Sequence, residues 1–204
     1  MQELSIDQTR EKWKILWEEA EQEILKIGAR QDYSEGKDGK KPSYLAWMAK
    51  DEVGSRALMD AEGQDPDGYA AMCRQKHAAG VDVCRIDYVE QPLTPYMAWA
   101  QEYLHRVCAP AHERHLQVGE RQVEGLIFPK DDVVIFGNQS ILAYRYEGLG
   151  RLVGADFYDA ATDNINPFLA LKAALLQVAM PLDGSHPKSS LGRGEKIWNW
   201  FLEC

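Results

Sequence analysis

The chain has 204 residues, a hydrophobic fraction of 45% and a formal net charge of −9. This length and composition suit one domain with appendages, or at most two small domains. The acidic balance argues against a broad nucleic-acid footprint, which needs clustered lysines and arginines. No run approaches the roughly 20 apolar residues of a membrane span, so we expect no membrane partner. Four widely spaced cysteines are typical of reduced thiols in a cytoplasmic protein.

The first 64 residues are predicted to form a helical N-terminal extension (1–64). Residues 5–28 are expected to be one helix, because Trp13 and Trp17 belong to an apolar stripe at helical spacing. Gly28 then stands where a helix can end. The two tryptophans indicate that this helix packs against its own domain or against a second copy.

Residues 65–183 are predicted to form the core domain. A helix ending at Gly80 leads into the β-rich run 81–89, and this order is typical of an α/β layer. Three later runs with glycine turns between them are expected to pair as an antiparallel meander. These runs are 133–136, 140–146 and 151–158. The predicted fold class is α/β (α+β), with a mixed, largely antiparallel sheet and flanking helices.

The remaining core segments complete this prediction. The polar residues 111–122 are expected to be a loop or a helical extension, and 123–128 a strand. Asn166 and Pro167 are typical of a helix start and predict the closing helix.

Residues 184–204 are predicted to be a linker and an aromatic docking tail. Trp198 and Trp200 would expose a large apolar surface to water, so we expect them to dock on the domain or on a partner. A structural homodimer through Trp13, Trp17, Trp198 and Trp200 is one alternative.

A helix beginning at Thr94 is the expected location of the functional site. Thr94 is a good N-cap, and Pro95 suits the first helical position. Aromatic residues and an arginine share one stripe of this helix: Tyr96, Trp99, Tyr103 and Arg106. Such a stripe can line a pocket or form the rim of an ordinary core.

Several ordered segments are similar to a known family. They are Gly80 before the strand that holds Arg85, then Glu90-Gln91-Pro92-Leu93-Thr94 with Tyr96, Asp132-Val133-Val134-Ile135-Phe136, Tyr144–Tyr146 with Gly150 and Gly154, and Ala179-Met180-Pro181. On these residues, the chain from about Tyr69 to Asp183 resembles a bacterial domain-of-unknown-function family, number sixty-eight seventy-nine. Members of that family often lie beside helix-turn-helix regulators. The first 60 residues and the tail are expected to be additions.

One motif departs from the family pattern. The family's Asp-Tyr-x-Arg-aromatic-Glu reads here as Pro95-Tyr96-Met97-Ala98-Trp99-Ala100. The tyrosine and the aromatic residue stay, whereas the acid, the arginine and the glutamate are replaced. The resemblance therefore implies that a polar site of the family has been lost or rebuilt in this chain.

The order of elements also resembles one half of a phospholipase-D-like domain. The catalytic signature of that superfamily is His-x-Lys with a downstream aspartate. No such signature lies within residues 65–183, and His186-Pro187-Lys188 stands in the following linker with no aspartate after it. The resemblance therefore implies that fold without its chemistry.

Two function classes stay open. The first is a non-catalytic sensor or accessory module that binds a small molecule or a protein partner. The second is a small-molecule transferase or tailoring enzyme of a biosynthetic pathway, with an aminoacyl-tRNA as a conceivable donor. Cys108 with His105 has the spacing of a nucleophile and a base, but we interpret Cys108 as a buried core thiol. The predicted ligand-binding residues are Arg85, Tyr96, Trp99, Tyr103, Arg106 and Asp132.

His112 and His115 are the candidates for a metal site. Their spacing can place two imidazoles on one ion, with Cys108 or Glu113 as a further ligand. However, Pro110 interrupts a continuous helix, and a closed zinc site needs four ligands. We therefore interpret the histidines as exposed to solvent and predict no metal and no other cofactor.

Overall fold

The computed structural model describes residues 1–33, 41–148 and 150–182. The strands are β1 (Gln2–Ser5), β2 (Glu23–Gly28), β3 (Asp82–Tyr88), β4 (Arg114–Val118), β5 (Val133–Phe136), β6 (Ser140–Glu147), β7 (Arg151–Asp159) and β8 (Met180–Pro181). The α-helices are α1 (Ile6–Glu19), α2 (Pro42–Met48), α3 (Glu52–Gln64), α4 (Tyr69–Ala78), α5 (Pro95–Tyr103), α6 (Glu120–Val123) and α7 (Asn166–Val178). A π-helical turn (Leu104–Cys108) and a 3₁₀ turn (Ala109–Ala111) extend α5.

All eight strands form one sheet in the order β1-β7-β6-β5-β2-β3-β4-β8. The neighbours β2, β3 and β4 run parallel. The other five pairings are antiparallel. The predicted mixed, largely antiparallel sheet is therefore confirmed, and so is the meander of β5, β6 and β7.

The sheet separates two hydrophobic cores. One core lies beneath α1, α3, α4 and α5 and includes Trp17, Met59 and Trp99. The other lies beneath α7 and includes Ile86 and Leu175. Because neighbouring residues of a strand point to opposite faces, every central strand contributes to both cores.

The predicted helix over residues 5–28 is wrong in its second part. The capping box of Ser5 does begin α1, but this helix ends at Glu19 and β2 follows. Ile24 faces the first core, whereas Leu25 and Ile27 face the second. A short apolar run on a strand that is buried on both faces also matches the spacing of a helix. The spacing of apolar residues therefore does not distinguish a strand from a helix in this segment.

Two predictions after the α5 segment are also wrong. The segment expected to be a loop or helix contains β4, in which Leu116 and Val118 alternate with polar residues. The strand expected over 123–128 is absent, because α6 ends at Val123 and Gly125 has a φ of +79°. That left-handed conformation favours glycine and interrupts an extended run.

The first 64 residues do not form an exclusively helical unit. They contribute β1 at one edge of the sheet and β2 near its middle, beside three helices. Residues 183–204, with Trp198 and Trp200, lie outside the described residues. No helix within the described ranges has both the length and the apolar character that a bilayer crossing requires.

Candidate ligand-binding site

Polar side chains collect where the parallel strands β2 and β3 end, on the face that carries α5. Lys26 is paired in register with Arg85, and Gly28 with Asp87. Asp132 comes immediately before β5, which runs antiparallel to β2 and therefore starts at this same edge. In open α/β sheets, ligands bind beyond the carboxyl ends of the parallel strands. The topology therefore makes this edge the candidate site.

Asp132 is the centre of this group and is completely buried. Its Oδ1 accepts hydrogen bonds from the backbone amide of Ala29 at 2.9 Å and from the Tyr33 hydroxyl at 2.6 Å. Its Oδ2 accepts a hydrogen bond from the Tyr146 hydroxyl and pairs with the Lys26 ammonium, both at 3.1 Å. Residues that lie far apart in the chain thus share one carboxylate.

The ionisation of this centre follows from its neighbours. Burial by itself would raise the pKa of Asp132, but the charge of Lys26 and the bonds from Tyr33 and Ala29 outweigh it, and the pKa lies below its usual value. Burial, and then the charge of Asp132, raise the pKa of both Tyr33 and Tyr146. Both phenols therefore remain neutral donors to an ionised carboxylate.

Arg85 and Asp87 form the second element of the site. Nε of Arg85 donates to both carboxylate oxygens of Asp87, at 2.9 and 2.7 Å. Burial opposes the charge of Arg85, but Asp87 more than compensates, and the pKa of the guanidinium is raised. Gly28 leaves the necessary space, because a Cβ at that position would overlap Oδ1 of Asp87. The contacts of Nε with both carboxylate oxygens therefore orient the Arg85 guanidinium.

A third ion pair lies beside these two. Arg30 Nη1 donates to Asp131 at 2.9 Å, and the Arg30 guanidinium lies 5.2 Å from the centroid of the Tyr146 ring. The site therefore contains three cations, each with its own carboxylate, arranged around two tyrosine rings. Its charges balance to zero without a ligand.

The aromatic stripe of α5 packs against this group. Tyr96, Trp99 and Tyr103 are all buried, with exposed fractions of 6%, 2% and 8%. The Tyr96 ring lies 5.2 Å from the Tyr33 ring, and the Trp99 ring lies 5.1 Å from the Tyr44 ring. The helix itself begins as predicted, because the Thr94 hydroxyl accepts a hydrogen bond from the Met97 amide.

The structure does not bring Arg106 to this group. Its Nε donates to Glu102 at 2.7 Å, and its Nη1 donates to Asp60 at 3.1 Å. These contacts link α3 to the continuation of α5 on the outer surface. Of the six predicted residues, Arg85 and Asp132 therefore lie in the polar group, Tyr96 adjoins it through Tyr33, and Trp99 and Tyr103 continue the aromatic layer.

The sequence did not identify six residues of the site: Lys26, Arg30, Tyr33, Asp87, Asp131 and Tyr146. Lys26 lies in a segment predicted to be helical, and Tyr33 lies in the polar, glycine-rich run 31–42, whose composition is typical of a linker. Tyr146 belongs to one of the segments that carry the family resemblance, and this resemblance is the signal that could have identified it as a site residue. Recognising β2 as a strand would have placed Lys26 on the same face as Arg85.

The histidines differ in environment. His112 is exposed and stacks on His77 with ring centroids 3.9 Å apart. The expectation that His115 is also exposed is wrong, because its side chain is only 5% exposed and lies 3.1 Å from Glu113. His115 belongs to β4 and points toward the first core, together with Cys108 and Glu113. These three side chains are the group in the described ranges that could hold a metal ion.

Two hollows in the described surface lie away from this edge. One lies between the end of α1 and the turn between β5 and β6, near Gln22 and Asn138. The other lies in the turn after β7, near Thr162. Both are at the opposite end of the central strands from Asp132.

The comparisons with known proteins identify a family. A family model described as "Domain of unknown function (DUF6879)" matches residues 11–184. The match begins well before Tyr69, so the expectation that the first 60 residues are additions is wrong, and α1 and β2 belong to the family domain. No curated protein matches the sequence.

One similar solved structure is TrmBL2, an archaeal chromatin protein with a novel mode of DNA binding. The TM-score is 0.40 with 11% sequence identity, and the alignment covers 87% of this chain and 52% of that chain. This chain therefore spans about half the length of that protein.

Proposed function

Since the chain belongs to the DUF6879 family of domains of unknown function, we propose from its geometry that it is a non-catalytic module that binds a small molecule through an anionic group at Arg85. The observation that carries this proposal is the state of the Arg85 guanidinium. Its side chain is 17% exposed, and Asp87 holds its Nε. In the described part of the chain, Nη1 and Nη2 of Arg85 donate no hydrogen bond.

A guanidinium fixed in this way suits a carboxylate or a phosphate. Its planar fork matches the two oxygens of such a group, and the paired N–H bonds are shorter and stronger than neutral ones. Asp87 uses the Nε side, so the Nη atoms are the donors left for a ligand. Because Asp87 fixes the orientation beforehand, binding loses little side-chain entropy.

The surrounding side chains supply contacts for the rest of the ligand. Tyr33 and Tyr146 are half-buried at this edge and offer ring surface. Lys26 is 28% exposed and Arg30 is 21% exposed, so two further cations reach the surface at this end of the strands. A small anionic molecule with an apolar or planar body fits this combination.

The non-catalytic part of the proposal is supported by the state of Asp132. A general base must reach the proton it removes. Asp132 is fully buried and already contacts four groups, which leaves it no access to a substrate. The raised pKa of Tyr33 and of Tyr146 likewise keeps these hydroxyls from acting as bases near neutral pH.

Thermal unfolding with a panel of anions tests the proposal. The probes are inorganic phosphate, nucleoside monophosphates, dicarboxylates and free amino acids. At 100 times its Kd, a ligand stabilises the fold by about 2.7 kcal/mol, which raises the Tm of a domain this size by about 5–10 °C. Arg85→Lys keeps the charge but loses the fork, so the shift should be lost.

Arg106→Lys is the matched control, because Arg106 lies in surface ion pairs away from the site and should leave the shift unchanged. Equal shifts in wild type and Arg85→Lys would overturn the assignment to Arg85, and no shift with any probe would overturn the anionic ligand. Turnover of a probe that Arg85→Lys abolishes would favour the transferase alternative instead.

A further inference from the structure

Three side chains with metal-binding atoms meet inside the first core. The Sγ atom of Cys108, a carboxylate oxygen of Glu113 and a ring nitrogen of His115 all lie within 4.8 Å of one another, and all three side chains are buried. They come from the end of the helical segment that extends α5 and from the start of β4. The spacing of His112 and His115 makes them the candidate pair in the sequence, but the structure leaves His112 exposed and buries the side chain of His115.

The backbone between these residues turns sharply. Cys108 ends a π-helical turn, a 3₁₀ turn follows, and His112 has a φ of 67°. The amide of Glu113 then donates a hydrogen bond to the carbonyl of Cys108 at 3.2 Å. A left-handed conformation at a residue other than glycine costs about 1–3 kcal/mol and persists where surrounding contacts impose it. Single π-helical turns are frequent at functional sites.

Two atoms in this group are buried without a hydrogen bond. Oε2 of Glu113 and Nε2 of His115 lie 3.1 Å apart, but neither makes a hydrogen bond of acceptable geometry. The other carboxylate oxygen of Glu113 accepts a hydrogen bond from the Tyr69 hydroxyl at 3.1 Å. Buried polar atoms nearly always have partners. The two atoms are an ion pair only when His115 is protonated, and the Cys108 thiol lies beside the two side chains that carry them.

We propose that Cys108, Glu113 and His115 bind one divalent transition-metal ion of the zinc class. A thiolate and an imidazole favour zinc-like ions over magnesium or calcium, which prefer all-oxygen ligands. The thiolate, the carboxylate and a neutral imidazole carry a charge of −2, which the ion neutralises. Binding releases the thiol proton of Cys108 to solvent.

The geometry needs only a small adjustment for such an ion. Ligand bonds of about 2.0–2.3 Å in a tetrahedron place the donor atoms about 3.3–3.8 Å apart. The present separations reach up to 4.8 Å, so the side chains must rotate to bring the donor atoms closer when an ion binds. Tyr69 would orient the Glu113 carboxylate from behind, as outer-shell partners of metal ligands do. Three protein ligands leave a fourth position for water or a small molecule.

Cobalt titration of the full-length chain after treatment with a chelator tests this proposal. Co²⁺ bound to a thiolate gives a charge-transfer absorption band, so the band reports Cys108 directly. We expect one cobalt ion per chain, displaced by zinc. Cys108→Ser should remove the band, and His115→Gln should weaken cobalt binding by at least about tenfold.

Two matched variants control for other thiols and imidazoles. Cys84 is an equally buried thiol on the opposite face of the sheet, so Cys84→Ser should keep the band. His112→Gln alters an exposed histidine three residues from His115 and should also bind cobalt normally. Circular dichroism of each variant checks that it is folded.

The wild-type measurement decides the outcome by itself. A folded wild-type chain that shows no band and takes up no cobalt overturns the proposal, whether or not Cys108→Ser folds. A band that persists in Cys108→Ser overturns it as well, because another thiol would then be the ligand. Zinc should also raise the Tm of wild type, and the same zinc concentration should raise that of His115→Gln less.

Discussion

Oδ2 of Asp87 lies 2.7 Å from Nε of Arg85 on the same face of β3, and this pair occupies space that Gly28 leaves open on the neighbouring strand. The three residues therefore act together. Gly28 permits the position of Asp87, and Asp87 orients the guanidinium that we propose binds an anion.

Gly28→Ala tests the space beside this pair. The added methyl group would overlap Oδ1 of Asp87, so the carboxylate must move and the orientation of Arg85 is lost. We expect unfolding free energy to fall by about 1–3 kcal/mol, as in other overpacked sites, and anion-dependent stabilisation to disappear. Urea denaturation measures the first effect and thermal shift the second.

Gly63→Ala is the control for that substitution. Gly63 lies in α3, and a Cβ there would meet Val107 at an ordinary contact distance of 3.8 Å. Alanine is favoured over glycine in a helix by about 1 kcal/mol, so stability should stay equal or rise. Comparable losses in both variants would contradict the role of Gly28.

Asp132→Asn tests the buried carboxylate. Lys26 loses its charged partner, so we expect a loss of about 2–4 kcal/mol near neutral pH. The folded-state pKa of Asp132 is lowered, so the stability that its ionisation contributes is present above the unfolded pKa of about 4 and is lost as pH falls through the folded pKa. The difference between wild type and variant should therefore be constant above about pH 4 and shrink below it.

Urea denaturation at a series of pH values measures this difference. Asp131→Asn is the neighbouring control, because Asp131 is 22% exposed and its pair with Arg30 should contribute less than about 1 kcal/mol. A gap between wild type and Asp132→Asn that persists unchanged in acid would rule out ionised Asp132 as its source.

Substitutions of Trp99 distinguish a packed aromatic layer from a pocket wall. Trp99 is 2% exposed and packs against Tyr44, Tyr96 and Tyr103. Trp99→Ala should therefore cost about 3–5 kcal/mol by opening a cavity. Trp99→Phe should cost much less, because it also removes the buried Nε1–H that makes no hydrogen bond. A well-tolerated Trp99→Ala would indicate that the ring borders open space.

Light scattering tests the predicted homodimer through Trp13, Trp17, Trp198 and Trp200. Trp17 is 5% exposed and packs against Trp13 and Tyr69 of its own chain. We therefore expect Trp17→Ala to lower the stability of the fold by about 3–5 kcal/mol. A mass that stays at 23.1 kDa at high protein concentration would contradict the dimer.

Local signals in the sequence were sufficient for several elements. The meander of β5, β6 and β7 follows from alternating apolar runs and glycine turns, and α5 follows from Thr94 and Pro95. The identity of Arg85 and Asp132 as site residues came from the family resemblance. The meander and α5 depend on residues that are near one another in the chain, so turn chemistry and periodicity suffice to predict those elements.

Only the tertiary structure decided which of these residues meet. The pairing of β2 with β3 brings Lys26 beside Arg85, and the start of β5 brings Asp132 to Tyr33 across 99 positions of sequence. Arg106 shares a helical stripe with Tyr96 and Trp99 but turns outward to Asp60. Strand register and the choice of ion-pair partner depend on the free energy of contacts between distant segments, which no local pattern encodes.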